Sequence, residues 1–192
     1  MESPLYWILG LLFPMHVCAY PNGKVQSACS SMEPNHGVKA QTSPAPYNIT
    51  VNQTVFKVGD KISVTIQSVA IPIEGFFLQA RAASNGAKAL GSFHTTDDTM
   101  QTLNCSTTAN SAVSHTSEDE KSEVQVIWEA VGTVDVDIKM RATVVANKTV
   151  YWVNILGPKL TYESSVASRL MVPPLSTQIF CNFFIVAFIL SK

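Results

Sequence analysis

From Val134 to Val144 every second residue is apolar: Val134, Val136, Ile138, Met140, Ala142 and Val144. The residues between them are Asp135, Asp137, Lys139, Arg141 and Thr143. A period of two places one set on each face of an extended chain, so this run predicts a long antiparallel strand with one face on a core and one in water. Shorter runs repeat the pattern. Ile62, Val64 and Ile66 alternate with polar residues, and Val124, Val126 and Trp128 alternate with Gln125 and Ile127. Further strands are expected over 47–56, 76–82, 90–95 and 150–155. Turn residues separate them at Gly59-Asp60, Pro72, Asn85-Gly86 and Gly132. Apart from the C-terminal tail, no segment carries a long helical period. About seven short strands at this spacing fit two packed sheets, an all-β sandwich.

The two ends of the chain differ from its middle. Leu5 to Val17 is apolar except for Gly10, Pro14 and His16, and Val17-Cys18-Ala19 supplies small residues for a cut after Ala19. Residues 1–19 therefore read as a secretory signal. At the other end, Ile179 to Leu190 is apolar except for Asn182. As a helix this segment is about 18 Å long, short of a bilayer core of about 30 Å. Three products are compatible with the tail at 176–192: a lipid-anchor signal attached at Ser164 or Ser165, a short membrane tail, or a plain secreted end. Residues 159–175, with Pro173-Pro174, read as a linker.

Export fixes the cysteine arithmetic. Of four cysteines, Cys18 leaves with the signal and Cys181 lies in the tail, so Cys29 and Cys105 are expected to pair in an oxidising compartment. Asn48, Asn52, Asn104 and Asn147 each begin an N-x-[ST] sequon, and used sequons mark exposed loops or edges. The formal net charge of −1 and scattered basic residues give no support for nucleic-acid binding.

The order of several motifs resembles a reeler domain. They are Tyr20-Pro21-Asn22-Gly23-Lys24-Val25, Ala28-Cys29, Met32-Glu33-Pro34-Asn35-His36-Gly37, and the stretch from Gly75 to Ala82. Gly91-Ser92-Phe93, Ala112 to Thr116, Val126-Ile127-Trp128, Ala142 to Val145 and Tyr151-Trp152-Val153 follow. The resemblance covers 20–158. It implies an immunoglobulin-like antiparallel sandwich with one disulfide, and it supplies the sheet order. Its opening and closing motifs look most like the ferric-chelate reductase branch, whose redox chemistry needs DOMON and cytochrome b561 modules that these residues do not encode. Reeler domains also stand alone in small defence proteins.

Candidate chemistry is sparse. His36, His94 and His115 have no helical ligand spacing, and neither a G-x-S-x-G elbow nor a glycine-rich phosphate loop occurs. No catalytic residue, metal or cofactor is expected. His36 is expected to bond within its own turn and His115 to satisfy a backbone group. Trp128 and Trp152 are expected in the core, with Trp128 near the disulfide. Arg81 is expected at the surface, or paired with Glu74 or Asp60. Glu118-Asp119-Glu120 reads as a solvated loop, with a weak cation site as the sharper alternative. The function expected is non-enzymatic binding of an extracellular protein, glycan or microbial surface. The alternative is an accessory or truncated member of the reductase family.

Overall fold

The computed structural model describes residues 22–164 apart from 85 and 133. The expected leader, Cys18, Ser165, Cys181 and the apolar tail lie outside the described residues. A single 3-10 turn, Gln26–Ala28, precedes ten strands: β1 (Tyr47–Val51), β2 (Val55–Phe56), β3 (Lys61–Ser68), β4 (Gly75–Ala82), β5 (Ser92–Thr95), β6 (Met100–Leu103), β7 (Ala112–His115), β8 (Glu123–Glu129), β9 (Ile138–Asn147) and β10 (Val150–Tyr162). They form a four-stranded sheet, β1-β3-β8-β5, and a six-stranded sheet, β2-β10-β9-β4-β7-β6. All pairings are antiparallel except the two-residue contact of β2 with β10.

The alternating residues meet between the sheets. Ile62, Val64 and Ile66 of β3 and Val124, Val126 and Trp128 of β8 face Phe76, Leu78 and Ala80 of β4 and Ile138, Met140, Ala142 and Val144 of β9. Trp128 is fully buried, stands edge-on to Phe56 at 5.4 Å, and donates its indole N–H to the Leu90 carbonyl at 3.0 Å. Gly91 makes this possible: at φ +70°, a Cβ there would lie 2.4 Å from the Trp128 ring nitrogen.

Four expectations need correction. The Val134 run does not form one strand from its first residue. β9 begins at Ile138, and Val136 is 43% exposed. Asp137 leaves the alternation because it accepts from the Tyr162 backbone N–H and pairs with Lys159 at 2.7 Å. The expected strand over 47–56 divides at Asn52, whose side-chain oxygen accepts from Ser63 N–H, and its two parts join different sheets. β10 continues to Tyr162, so the domain boundary expected at Pro158 falls inside a strand. β6 and β7 were not expected, since four-residue strands with little polar alternation carry no period to detect.

Trp128 is also not beside the disulfide. Cys29 and Cys105 pack with Met32, Phe77, Leu103 and Ala112, a second apolar cluster. Phe77 alternates with Phe76 and Leu78 of the main core, so this cluster lies on the opposite face of the six-stranded sheet.

A cavity beneath the N-terminal strap

That opposite face is where the expectation of one wet side fails. Gln79 is fully buried, Arg81 is 5% exposed and Thr143 is 3% exposed. Residues 22–43 cover them as an irregular strap. Polar side chains on the sheet supply donors to carbonyls of the strap, which has no strand ladder of its own.

The Cys29–Cys105 bond fixes the middle of the strap, with Cα atoms 5.2 Å apart. Arg81 Nη2 donates to the carbonyls of Cys29 at 2.7 Å and Ser30 at 3.0 Å, while its Nε donates to Gln79 Oε1 at 2.8 Å. Gln79 Nε2 donates to the Cys29 carbonyl at 3.1 Å. Arg81 thus bonds neither Glu74 nor Asp60 but serves as a buried clamp. Burial, and secondly the charge of Arg141, pushes its pKa below the ordinary guanidinium value. Thr143 Oγ1 donates to the Met32 carbonyl at 2.5 Å. Met32 has φ +59°, rare for a side chain other than glycine, and is held there by this bond and by burial in the second cluster. Further along, Tyr151 donates its hydroxyl to the Val38 carbonyl at 2.6 Å, and Trp152 donates its indole N–H to the Ser43 carbonyl at 3.1 Å.

Between strap and sheet lies a cavity of about 380 Å³. Phe77, Thr143 and Val145 contribute from the sheet, and Val25, Ala28, Met32 and Pro34 from the strap. Its polar lining includes Glu33, Glu74 and Glu118, with His36, His115 and Lys148. Burial pushes the Glu74 carboxyl above the usual carboxylate range, and the charges of Glu118 and Glu120 add to this. His115 Nδ1 accepts the Phe76 backbone N–H at 3.1 Å, the backbone role expected of it. The imidazole lies against Gly75, where a Cβ would come within 2.9 Å of Cε1. His36 does not bond within its own turn. Its ring lies beside the Lys148 backbone and stands edge-on to Tyr151 at 5.5 Å, because the strap folds back over the β9–β10 hairpin. Burial is the main cause that lowers the His36 pKa below the ordinary imidazole value.

The other candidates are dispersed. Asn48, Asn52, Asn104 and Asn147 are all exposed. The Oδ1 atoms of Asn52, Asn104 and Asn147 accept backbone N–H groups of Ser63, Asn110 and Thr149, leaving those contacts off the nitrogen that a glycan would occupy. Ser164 is exposed just beyond β10. Glu118, Asp119 and Glu120 are exposed, and Ser117 Oγ donates to Asp119 Oδ2 at 2.7 Å, an ordinary loop contact. Among the described residues, no group of three or more His, Cys, Asp or Glu side chains is placed to hold a metal ion. Sequence reasoning missed the cavity. Its only trace was the Met32-to-Gly37 motif, which forms part of the roof rather than an isolated turn.

Comparison with known proteins agrees with this architecture. The Reeler domain family model matches residues 27–168. Ferric-chelate reductase 1 of Mus musculus is 40% identical over 92% of this chain, and that of Bos taurus is 38% identical over 92%. The chain spans 29% of the length of each. "Putative defense protein 2" of Antheraea mylitta is 34% identical over 71% of this chain and 87% of its own. The crystal structure of the Reelin-N domain of F-spondin superposes with a TM-score of 0.56, covering 74% of this chain and 100% of that one at 16% identity. A human F-spondin reeler domain gives 0.55, covering 66% of this chain and 94% of that one at 17% identity. With the strapped two-sheet sandwich, its disulfide and this family match in agreement, the chain belongs to the reeler family.

Proposed function

We propose that this chain is a non-enzymatic extracellular binding module whose ligand seats beneath the strap. One observation carries the reading: a cavity of about 380 Å³ roofed by a segment that a disulfide and a buried arginine hold down. That volume lies within the range of small-molecule sites, and its lining combines apolar walls with a few polar groups. Two of its polar side chains, His115 and Thr143, are engaged in holding backbone. The Cys29–Cys105 bond and four exposed sequons support an exported glycoprotein. Kinship with a protein named for defence supports recognition of microbial surfaces, and matrix glycans are the other surface class the module would meet.

The test is retention of the purified glycosylated chain on bacterial cells, peptidoglycan and heparan sulfate beads, against an unrelated glycoprotein. Retention on at least one support is expected. Ser27 is exposed at the cavity, so Ser27→Trp obstructs it without entering the core and is expected to abolish that retention. Background retention on every support would overturn the binding reading.

A second reading is favoured by the 38–41% identity to ferric-chelate reductases: the chain is an accessory or truncated relative that works beside iron redox chemistry. On either reading the chain by itself is expected to leave a ferric chelate unreduced in the presence of ascorbate, at the rate of the protein-free control. Ferrous production above that rate, followed with a ferrous-specific chromophore, would show the chain to be an enzyme.

A further inference from the structure

One sheet edge is left open, and two glycosylation sequons stand on it. We propose that N-glycans on Asn48 and Asn52 cover the free edge of β1 and keep the chain from pairing with a second copy of itself along that strand.

β1 ends the four-stranded sheet, and among the described residues it pairs with β3 alone. Val69 N–H donates to the Pro46 carbonyl at 2.9 Å, and Asn52 N–H to the Ser63 carbonyl at 3.2 Å. Both bonds continue the register that sets Asn48 opposite Gln67 and Thr50 opposite Thr65. Bonded pairs alternate along an antiparallel ladder, so Asn48 and Thr50 bond β3, while the N–H and C=O groups of Tyr47, Ile49 and Val51 point away from it. Such a row is a template for another strand unless something blunts it. Tyr47-Asn48-Ile49-Thr50-Val51 contains neither a charged residue nor a proline. The other sheet ends differ. β2 has only two residues. The loop after β6 ties down the remaining two edge strands through Asn110. Its carbonyl accepts from Phe93 N–H of β5 at 2.7 Å, and its Oδ1 accepts from Thr102 Oγ1 of β6 at 2.9 Å.

The sequons fall where β1 lacks protection. Asn48 lies within the strand and Asn52 just beyond its end, and both are exposed. Tyr47 and Ile49 are buried, so Asn48 stands on the opposite, solvent face. An added strand would lie about 4.8 Å from β1. A bulky, solvated glycan rooted on the edge strand occupies that space. Asn52 Oδ1 accepts from Ser63 N–H at 2.9 Å, which holds the side chain at the end of the β1–β3 ladder and leaves its nitrogen for the sugar. Asn147 supplies the contrast. It ends β9, a strand paired on both sides, by β4 and β10.

The test compares chains expressed through the secretory pathway of animal cells. In the native chain, peptide mass mapping is expected to find sugar on Asn48 and Asn52, and light scattering to find a monomer. Thr50→Ala combined with Thr54→Ala removes both sequons but keeps both asparagines and the Asn52–Ser63 bond. This variant is expected to scatter at twice the monomer mass, with hydrogen exchange slowed across residues 47–51. Thr149→Ala loses the sequon at Asn147 instead and is expected to stay monomeric. Thr50→Lys combined with Thr54→Ala also lacks both edge sugars but sets a charge on the strand. Lysines facing each other across a new ladder repel, so this variant is expected to be monomeric again. A monomeric native chain with Asn48 and Asn52 both bare would overturn the proposal. So would a monomeric Thr50→Ala, Thr54→Ala chain, a dimer whose exchange across 47–51 is unchanged, or equal dimerisation of Thr149→Ala or of the lysine variant.

Discussion

Replacing Cys29 and Cys105 together by serine is expected to lower the stability of the domain by about 4 kcal/mol and its Tm by about 15 °C. The bond joins residues 76 apart, so its loss frees a long loop in the unfolded chain. The effect is concentrated on the strap. The main core lies on the other face of the six-stranded sheet and makes no use of the bridge. The variant is therefore expected to keep its β-type circular dichroism and buried Trp128 fluorescence at low temperature while losing ligand retention. Thermal unfolding followed by tryptophan emission measures the shift. A change below about 3 °C would mean that hydrogen bonds alone fix the strap.

Arg81→Met is expected to cost about 3 kcal/mol, although the substitution is apolar, similar in length and placed in a buried site. Methionine leaves the Ser30 carbonyl and Gln79 Oε1 without the donors that Arg81 supplies, while the Cys29 carbonyl keeps Gln79 Nε2. The cost arises from these stranded acceptors, not from the removed charge, which has no carboxylate among its hydrogen-bond partners. Arg81→Lys is expected to recover only part of it. An ammonium is a single point, whereas the guanidinium fork reaches two strap carbonyls and a side-chain oxygen at once. Urea unfolding of the three proteins gives the ranking, and equal midpoints for methionine and arginine would show that the clamp contributes nothing.

The same residues show how far the sequence could be read. Ile62, Val64, Ile66, Met140, Ala142 and Val144 announced their burial through their period, and the structure places all of them between the sheets. Thr143 occupies a polar position of the 134–144 alternation and Arg81 reads as a surface charge, so the sequence assigns to water the face that these two share with Gln79. They are buried because a distant segment lies over them. An alternation rule sees only the strand's own two faces and carries no information on what covers the second one. The split of 47–56 and the late start of β9 have the same origin. Each turns on one side chain, Asn52 or Asp137, that bonds a partner remote in sequence.

The candidate site divides in the same way. Cysteine arithmetic paired Cys29 with Cys105, and the motifs beginning at Met32 marked the strap as distinctive. Neither indicated that His36 would reach the β9–β10 hairpin, or that Glu74 and Glu118 would share one cavity. Local periodicity and composition determined that this chain forms two apolar-faced sheets and one disulfide, because those depend on residues two apart and on a redox compartment. Only the tertiary structure decided where the strap lies and what lines the space beneath it. Those outcomes depend on satisfying backbone carbonyls of an irregular segment, and the donors that do so come from strands more than fifty positions away along the chain.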